Sequence, residues 1–535
     1  MKSKRKIKEK RPNPKLSDKK KLNWSALNKD KLFILLIIIL GFLCFYNVFD
    51  QKLDLNGDNV AYYLLAKSIN DGNGYRSVWD AGNGYHSHYP AGYSAFLALF
   101  MFLSESIIFL KIINGMVYVA TLVVLYLLFR KLVANETLVF LIVSAVALNG
   151  HLLRYSTILM SEMLFLFCSA LVLYFLILLR LDKNLLKDKY VHLIIVSLAA
   201  AYYIKSVAIA IFFGVFIYFL YKRCWKHILF IFGGTAALLI PWLIRNQMIG
   251  GGDSYLKPLL LINPYNPDLG HAGFSDFVVR FFNNSLRYIS TEIPSSCLPF
   301  LESEIVRNSA LGYLTGIILI ALIVFGLWRL KNYRILFVSY FAGTMGILLL
   351  WPEAWFGVRF IIPLVPVFVF LSLFGANEIV EKILKGRKSN PKYVLIILII
   401  FCFFSVLSVK GLSVQAAQPY PAAWKNYMLL AAWSAKNTPR ESIVCCRKGP
   451  LFYLYSGRKT VKHQFTADDQ SLINDLIKRK TDYVVVEHLG FGSTPKFLVP
   501  AIQKNMTLFK AVMKIPNPDT YLFAFNKNQQ NPDSK

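Results

Sequence analysis

The chain has 535 residues, 56% of them hydrophobic and 15% aromatic, with a mean hydropathy of +0.46 and a formal net charge of +30. That apolar share exceeds the roughly 45–50% of soluble domains and falls in blocks of about 17–24 residues, which excludes an ordinary globular protein and reads as a polytopic membrane protein. The charge does not read as a nucleic-acid surface, because the basic residues collect at the ends of alternate apolar blocks, where the positive-inside rule puts them.

In chain order, residues 1–31 form a basic arm, read as a cytosolic anchor that fixes orientation. The first span, 32–49, lacks a small-residue cleavage site and is expected to be a retained helix. The next cytosolic signal is Arg130-Lys131, at the end of the block 107–129. Residues 50–106 are therefore expected as a first external loop, in which 93–103 is too short to span and reads as an interfacial helix. Spans then alternate at 137–149, 158–179, 191–204, 207–221 and 228–244. After a second external loop, 247–308, come 310–328, 335–351, 358–374, a basic linker at 381–392, and 393–409. The fold class expected is an α-helical polytopic membrane protein of about eleven spans, with thirteen as the upper bound. No internal repeat of the transporter kind appears. Residues 411–535 change character: Pro421 at a helix N1 position opens an amphipathic helix, and short β-branched runs follow, as in a small α/β domain. The odd span count places that domain outside.

The first loop holds the densest chemistry, LDLNGDNVAYYLLAKSINDGNGY followed by RSVWDAGNGYHSHYPAGYSAF. Asp54 and Asp58 are four apart and would share one helical face, with Tyr62 four further on. On this topology Asp54, Asp58, His86, His88, Arg154, Glu162, Lys205, Arg245, Glu353 and Arg359 all fall at or near the outer ends of spans. Charges there are costly and line a cavity or a substrate path. Carboxylates and cations on one face suit a base that takes a proton from a hydroxyl and cations that stabilise a departing phosphate. Glycosyl transfer from a lipid phosphate has both requirements. Blander roles compete. Asp58 could cap the helix that starts at Asn59, Glu162 could pair with Arg154, and Arg359 could snorkel. His86 and His88, at i and i+2, fit two corners of a metal site, with no third ligand evident. The seven cysteines show no CxxC, so neither zinc nor a disulfide framework is expected.

The segments GDNVAYYLLAKSI, HYPAGYSAFLALF, RYSTILMSEMLFLF, PWLIRNQMIGG and GVRFIIPLVPVFVFL, in that order across residues 32–410, resemble the GT-C class of polytopic glycosyltransferases. Within it the chain is similar to bacterial relatives of protein O-mannosyltransferase and the lipid A aminoarabinose transferase. The resemblance implies that Asp58 is the catalytic base and Tyr62 the aromatic that follows it. It places His88, Tyr89 and Tyr93 in the lining of the donor pocket and Arg359 near the donor phosphate, with Lys205 and Arg245 as helpers. Glu162 matches a second acidic position. The chain departs from the mannosyltransferase pattern at Asn59, where an acidic pair is usual, and at Lys205, where many relatives carry arginine. The implied activity is inverting transfer of a sugar from a polyprenyl-phosphate donor to a hydroxyl of a cell-envelope glycan, lipid or protein. No organic cofactor is expected, and a divalent cation is left open. The implied location is a bacterial inner membrane, with the N-terminus cytosolic and the tail domain outside. Two alternatives stand beside it: an O-antigen-type ligase or polymerase using polyprenyl-diphosphate glycans, and a lipid-linked sugar flippase.

Overall fold

A computed structural model describes residues 24–55, 57–251, 256–301, 303–384 and 392–527. The basic arm up to residue 23 and the linker residues 385–391 lie outside the described residues.

Every expected span is helical: α1 (Trp24–Val48), α4 (Ile107–Leu132), α5 (Glu136–Ala147) with α6 (Gly150–Ser156), α7 (Glu162–Leu178), α8 (Lys189–Ile204), α9 (Ile209–Tyr221) and α10 (Trp225–Met248), with α2 (Asn59–Asn70) and α3 (Gly92–Met101) in the first loop. After α11 (Phe274–Arg287) come α12 (Ala310–Arg329), α13 (Arg334–Leu349), α14 (Val365–Leu384) and α15 (Lys392–Ala417). Side-chain caps start several of them. The Ser106 hydroxyl accepts from the Phe109 amide and the Asn149 amide oxygen accepts from the His151 and Leu152 amides. The Asn149 cap begins a new helix direction, and α5 and α6 meet at 61°.

Among the described residues, five helices are long and apolar enough to cross a bilayer, or six if the bent pair is one span. The expected spans at 158–179, 191–204, 207–221 and 335–351 are shorter apolar helices. At 1.5 Å per residue such helices fall short of the roughly 30 Å hydrocarbon core, so helix length alone does not support a count of eleven. The chain is a multi-pass membrane protein. Its helices pack closely where side chains are absent: a Cβ on Gly326 would meet the Leu371 carbonyl at 2.3 Å, and one on Gly375 the Leu322 carbonyl at 2.3 Å. Small residues let α12 and α14 touch backbone to backbone.

Two local expectations shift. Gly57, at φ +74°, turns the chain just before α2, so Asp54 stays in the loop and shares no helical face with Asp58. Pro421 is the N-cap of α16 (Ala422–Asn437), one position earlier than expected. Beyond it lies a five-stranded sheet of β1 (Ile443–Cys445), β2 (Lys459–Val461), β3 (Tyr483–Val486), β4 (Phe509–Ile515) and β5 (Thr520–Phe525), in the order β2-β1-β3-β5-β4. β1 runs parallel to β2 and β3, while β5 runs antiparallel to β3 and β4. The edge strand β2 is extended by the first loop. The Thr460 amide donates to the Trp79 carbonyl at 2.7 Å, and the Ala81 amide donates to the Thr460 carbonyl at 3.1 Å. An edge strand offers unpaired backbone groups, and here they fix the sheet over the loop.

Candidate active site

Asp58 occupies the N-cap position of α2, yet its side chain makes no capping bond. Its carboxylate turns away from the helix. Oδ1 accepts from the Tyr89 hydroxyl at 2.8 Å and Oδ2 from Arg359 Nη2 at 3.1 Å. The capping role is thus taken by position only, and the acid is left for other work.

Arg359 sits in the short helical turn Val358–Ile361, which follows Gly357 at φ +111°. Its fork is shared: Nε donates to Glu162 Oε1 at 2.6 Å while Nη2 reaches Asp58. A rigid planar guanidinium can hold two acids at fixed separation in a way that an ammonium cannot. Glu162, in the first turn of α7, is fully buried and also accepts from Lys205 Nζ at 2.9 Å. A helix N-terminus favours a carboxylate. Glu162 is therefore the buried anchor for both cations, while Asp58 is 32% exposed at its side chain and reachable. Glu162 Oε2 and the Tyr93 hydroxyl, both buried, have no hydrogen-bond partner among the described residues.

Three tyrosines wall this chain of charges. The Tyr62 ring lies 5.0 Å from Tyr89 and 5.0 Å, edge-on, from Tyr93. His86 is buried, and both of its nitrogens are engaged. Nε2 accepts from the Tyr89 amide at 3.0 Å and Nδ1 lies 2.8 Å from the Ser77 hydroxyl, which assigns the proton to Nδ1. Burial, with smaller contributions from His88 and Arg245, pushes the His86 imidazole down to about 3, so it is neutral at physiological pH. The alternative of His86 and His88 as two corners of a metal site is not favoured by this arrangement, since the Nε2 lone pair of His86 is already taken by the Tyr89 amide. Burial also lowers His88, with Asp58 opposing. Among the described residues no group of three or more His, Cys, Asp or Glu is placed to hold a metal ion.

The remaining candidates lie apart from the Asp58 cluster. Arg245 donates from Nη1 to the His86 carbonyl at 3.0 Å and from Nη2 to the Tyr75 carbonyl at 3.3 Å, and its guanidinium lies 4.8 Å from the Trp242 ring centroid. It braces the loop backbone. Arg154 lines a separate recess of about 130 Å³ with Asp54 and Lys111, so the expected Glu162–Arg154 pairing is replaced by Glu162 with Arg359 and Lys205. Glu353 accepts from Asn283 at 2.9 Å on the exposed surface near α11.

Two features escaped the sequence reading. A cavity of about 150 Å³ brings Asp58 and Tyr89 against Arg447 and Lys448 of the sheet domain, and Lys448 Nζ donates to the Gly57 carbonyl at 3.0 Å. The dibasic pair before Gly449-Pro450, between a strand and a helix, was the available signal. An apolar cavity of about 440 Å³ lies between α9 and α13, lined by Ile209, Phe213, Gly343, Leu350 and Trp351 among others. Ile209 follows closely on Lys205 in the chain. The Trp351 ring packs edge-on at 4.8 Å against Phe360, the neighbour of Arg359.

Among solved structures the chain is similar to ArnT from Cupriavidus metallidurans bound to undecaprenyl phosphate, with a TM-score of 0.58 and 10% identity, over 92% of this chain and 97% of that one. It is equally similar to the apo state of that protein, TM-score 0.58 and 10% identity, over 94% and 98% of the two chains. The fold is GT-C-like. The mycobacterial arabinofuranosyltransferase AftD aligns at a TM-score of 0.45 and 14% identity, over 92% of this chain and 41% of that one. No protein-family model and no curated protein matches the sequence.

Proposed function

We propose that the protein is a membrane glycosyltransferase that takes its sugar from a polyprenyl-phosphate carrier and passes it to a hydroxyl on the extracytoplasmic side. One observation carries the reading: a reachable carboxylate, Asp58, is bridged by Arg359 to a fully buried Glu162 that also holds Lys205. The isoprenoid tail occupies the apolar cavity between α9 and α13, and the donor phosphate meets Arg359 and Lys205. The Arg359–Asp58 contact at 3.1 Å is the longer arm of the fork. Nη2 swings from Asp58 to the phosphate when donor binds, which frees the carboxylate, while the Glu162 arm stays in place.

Asp58 then takes the proton of the acceptor hydroxyl. The acceptor oxygen forms its bond to the anomeric carbon from the face opposite the phosphate. The bond between that carbon and the phosphate oxygen breaks, and the electron pair leaves with the polyprenyl phosphate, which the two cations stabilise. The anomeric configuration inverts. The ArnT structure bound to undecaprenyl phosphate supports a carrier of this chemistry.

The test is to supply the full chain, in proteoliposomes made with a cell-envelope lipid and glycan extract as the source of acceptor hydroxyls, with sugars linked to polyprenyl monophosphate or to polyprenyl diphosphate and to measure free carrier released. Release of polyprenyl phosphate from the monophosphate donor alone is expected. Release from the diphosphate donor alone would mark a ligase or polymerase, and carrier crossing the bilayer with no release would mark a flippase.

A further inference from the structure

The sheet domain does more than cover the pocket. Arg447 and Lys448 line the cavity that holds Asp58, Lys462 just past β2 is within charge range of Arg447 and of His88, and none of the three forms an ion pair among the described residues. Arg447 commits only Nε, to the Ser493 hydroxyl at 3.1 Å, and its guanidinium lies 4.4 Å from the Phe491 ring centroid. Lys448 Nζ lies 5.4 Å from the same ring and Lys462 Nζ 4.1 Å from that of Phe465. Burial lowers both lysines first; for Lys448 the Asp58 charge then favours the ammonium and Arg447 disfavours it, and for Lys462 Arg447 alone adds to the burial. Glu487, whose charge also reaches Arg447, is buried and already accepts from the Leu489 amide and the Thr494 hydroxyl, each at 2.5 Å. The first turn of α17 (Gly449–Ser456) supplies Pro450 and Leu451 to the same cavity wall, so a positive helix end adds to the field.

Like charges brought together without counter-charges repel, and the arrangement becomes favourable once an anion enters. Arg359 and Lys205 are held by Glu162 on the bundle side of the pocket, whereas this strip faces Asp58 from the sheet side. We propose that Arg447, Lys448 and Lys462 form a second anion subsite that binds a phosphate or carboxylate group of the acceptor and presents its hydroxyl to Asp58. The acceptor is then an anionic molecule. This rests on the transferase reading above, which supplies the donor on the bundle side.

The experiment uses the full chain in nanodiscs and inorganic pyrophosphate as probe, titrated with and without saturating undecaprenyl phosphate. The variant is Arg447→Gln with Lys462→Gln; Lys448 is kept because it holds the Gly57 carbonyl. Wild type loaded with undecaprenyl phosphate is expected still to bind pyrophosphate, and the double variant to bind it at least tenfold more weakly with its lipid affinity changed less than twofold. Unchanged lipid binding also shows that the variant is folded. Two results overturn the subsite: pyrophosphate affinity unaltered in the double variant, or pyrophosphate excluded from wild type by undecaprenyl phosphate, which would give the strip to the donor headgroup. Neither touches the role of Asp58, whose failure would appear separately as undiminished transfer by Asp58→Asn.

Discussion

On the bundle side of the pocket, Lys205, Glu162, Arg359 and Asp58 form one unbroken chain of ion pairs at 2.6 to 3.1 Å. On the sheet side, Arg447, Lys448 and Lys462 have no carboxylate within ion-pair distance among the described residues. The difference separates two uses of charge. The paired cluster fixes geometry before any ligand arrives, because removing one buried member strands the others. The strip has no carboxylate to neutralise it: Lys448 holds the Gly57 carbonyl and Arg447 Nε the Ser493 hydroxyl, and the charge itself is left for an incoming anion.

The comparison can be broken most severely at Glu162. Glu162→Gln leaves Lys205 without its counter-charge and Arg359 with Asp58 alone, both only partly exposed, and a loss of about 2–4 kcal/mol is expected in denaturant or thermal unfolding of the detergent-solubilised chain. Stability equal to wild type would show that Glu162 is not the anchor. Next in size, Arg359→Lys keeps the charge but cannot span both acids, and transfer is expected to fall about 10- to 100-fold, near 1.4–2.7 kcal/mol of lost transition-state stabilisation. A drop below twofold would mean that bridging is unimportant. Tyr89→Phe removes one neutral donor to Asp58, worth about 1 kcal/mol, so roughly a fivefold change in turnover is expected, with donor affinity little altered.

A further test sharpens the contrast through pH. His86 titrates near its ordinary 6.5 when unfolded but near 3 in the folded loop, where burial keeps it neutral. Between those values the unfolded chain binds more protons, so its contribution to stability is fully present above about pH 6.5 and is lost as pH falls toward 3. His86→Gln is expected to flatten unfolding midpoints across that window, as followed by tryptophan fluorescence. An unchanged pH slope would show that the loop histidine is not the group responsible.

Much of this arrangement was legible in the sequence. Runs of apolar residues gave each span a helix, and the acid at the start of the first loop stood out because polar groups are rare in such a chain. Span number was less legible, since helices such as Lys189–Ile204 are too short to be counted by length. Partner choice was not legible at all. Glu162 is eight residues from Arg154 in sequence, but its partners come from Lys205 and Arg359, 43 and 197 residues away. Arg447 and Lys448 were missed for the same reason. Long-range contacts carry them to Asp58, the pairing of β2 with Trp79–Ala81 and the Lys448 bond to the Gly57 carbonyl among them, and both are made to backbone groups.

The most direct test is single-turnover transfer by Asp58→Asn, reconstituted with saturating polyprenyl-phosphate donor. The amide keeps the shape, its oxygen can still accept from Arg359 while its NH2 faces the Tyr89 hydroxyl oxygen, and it cannot take a proton. Donor binding within a few-fold of wild type and transfer reduced about 10²- to 10⁴-fold are expected. Transfer at the wild-type rate with donor bound would remove Asp58 from the reaction and the account with it.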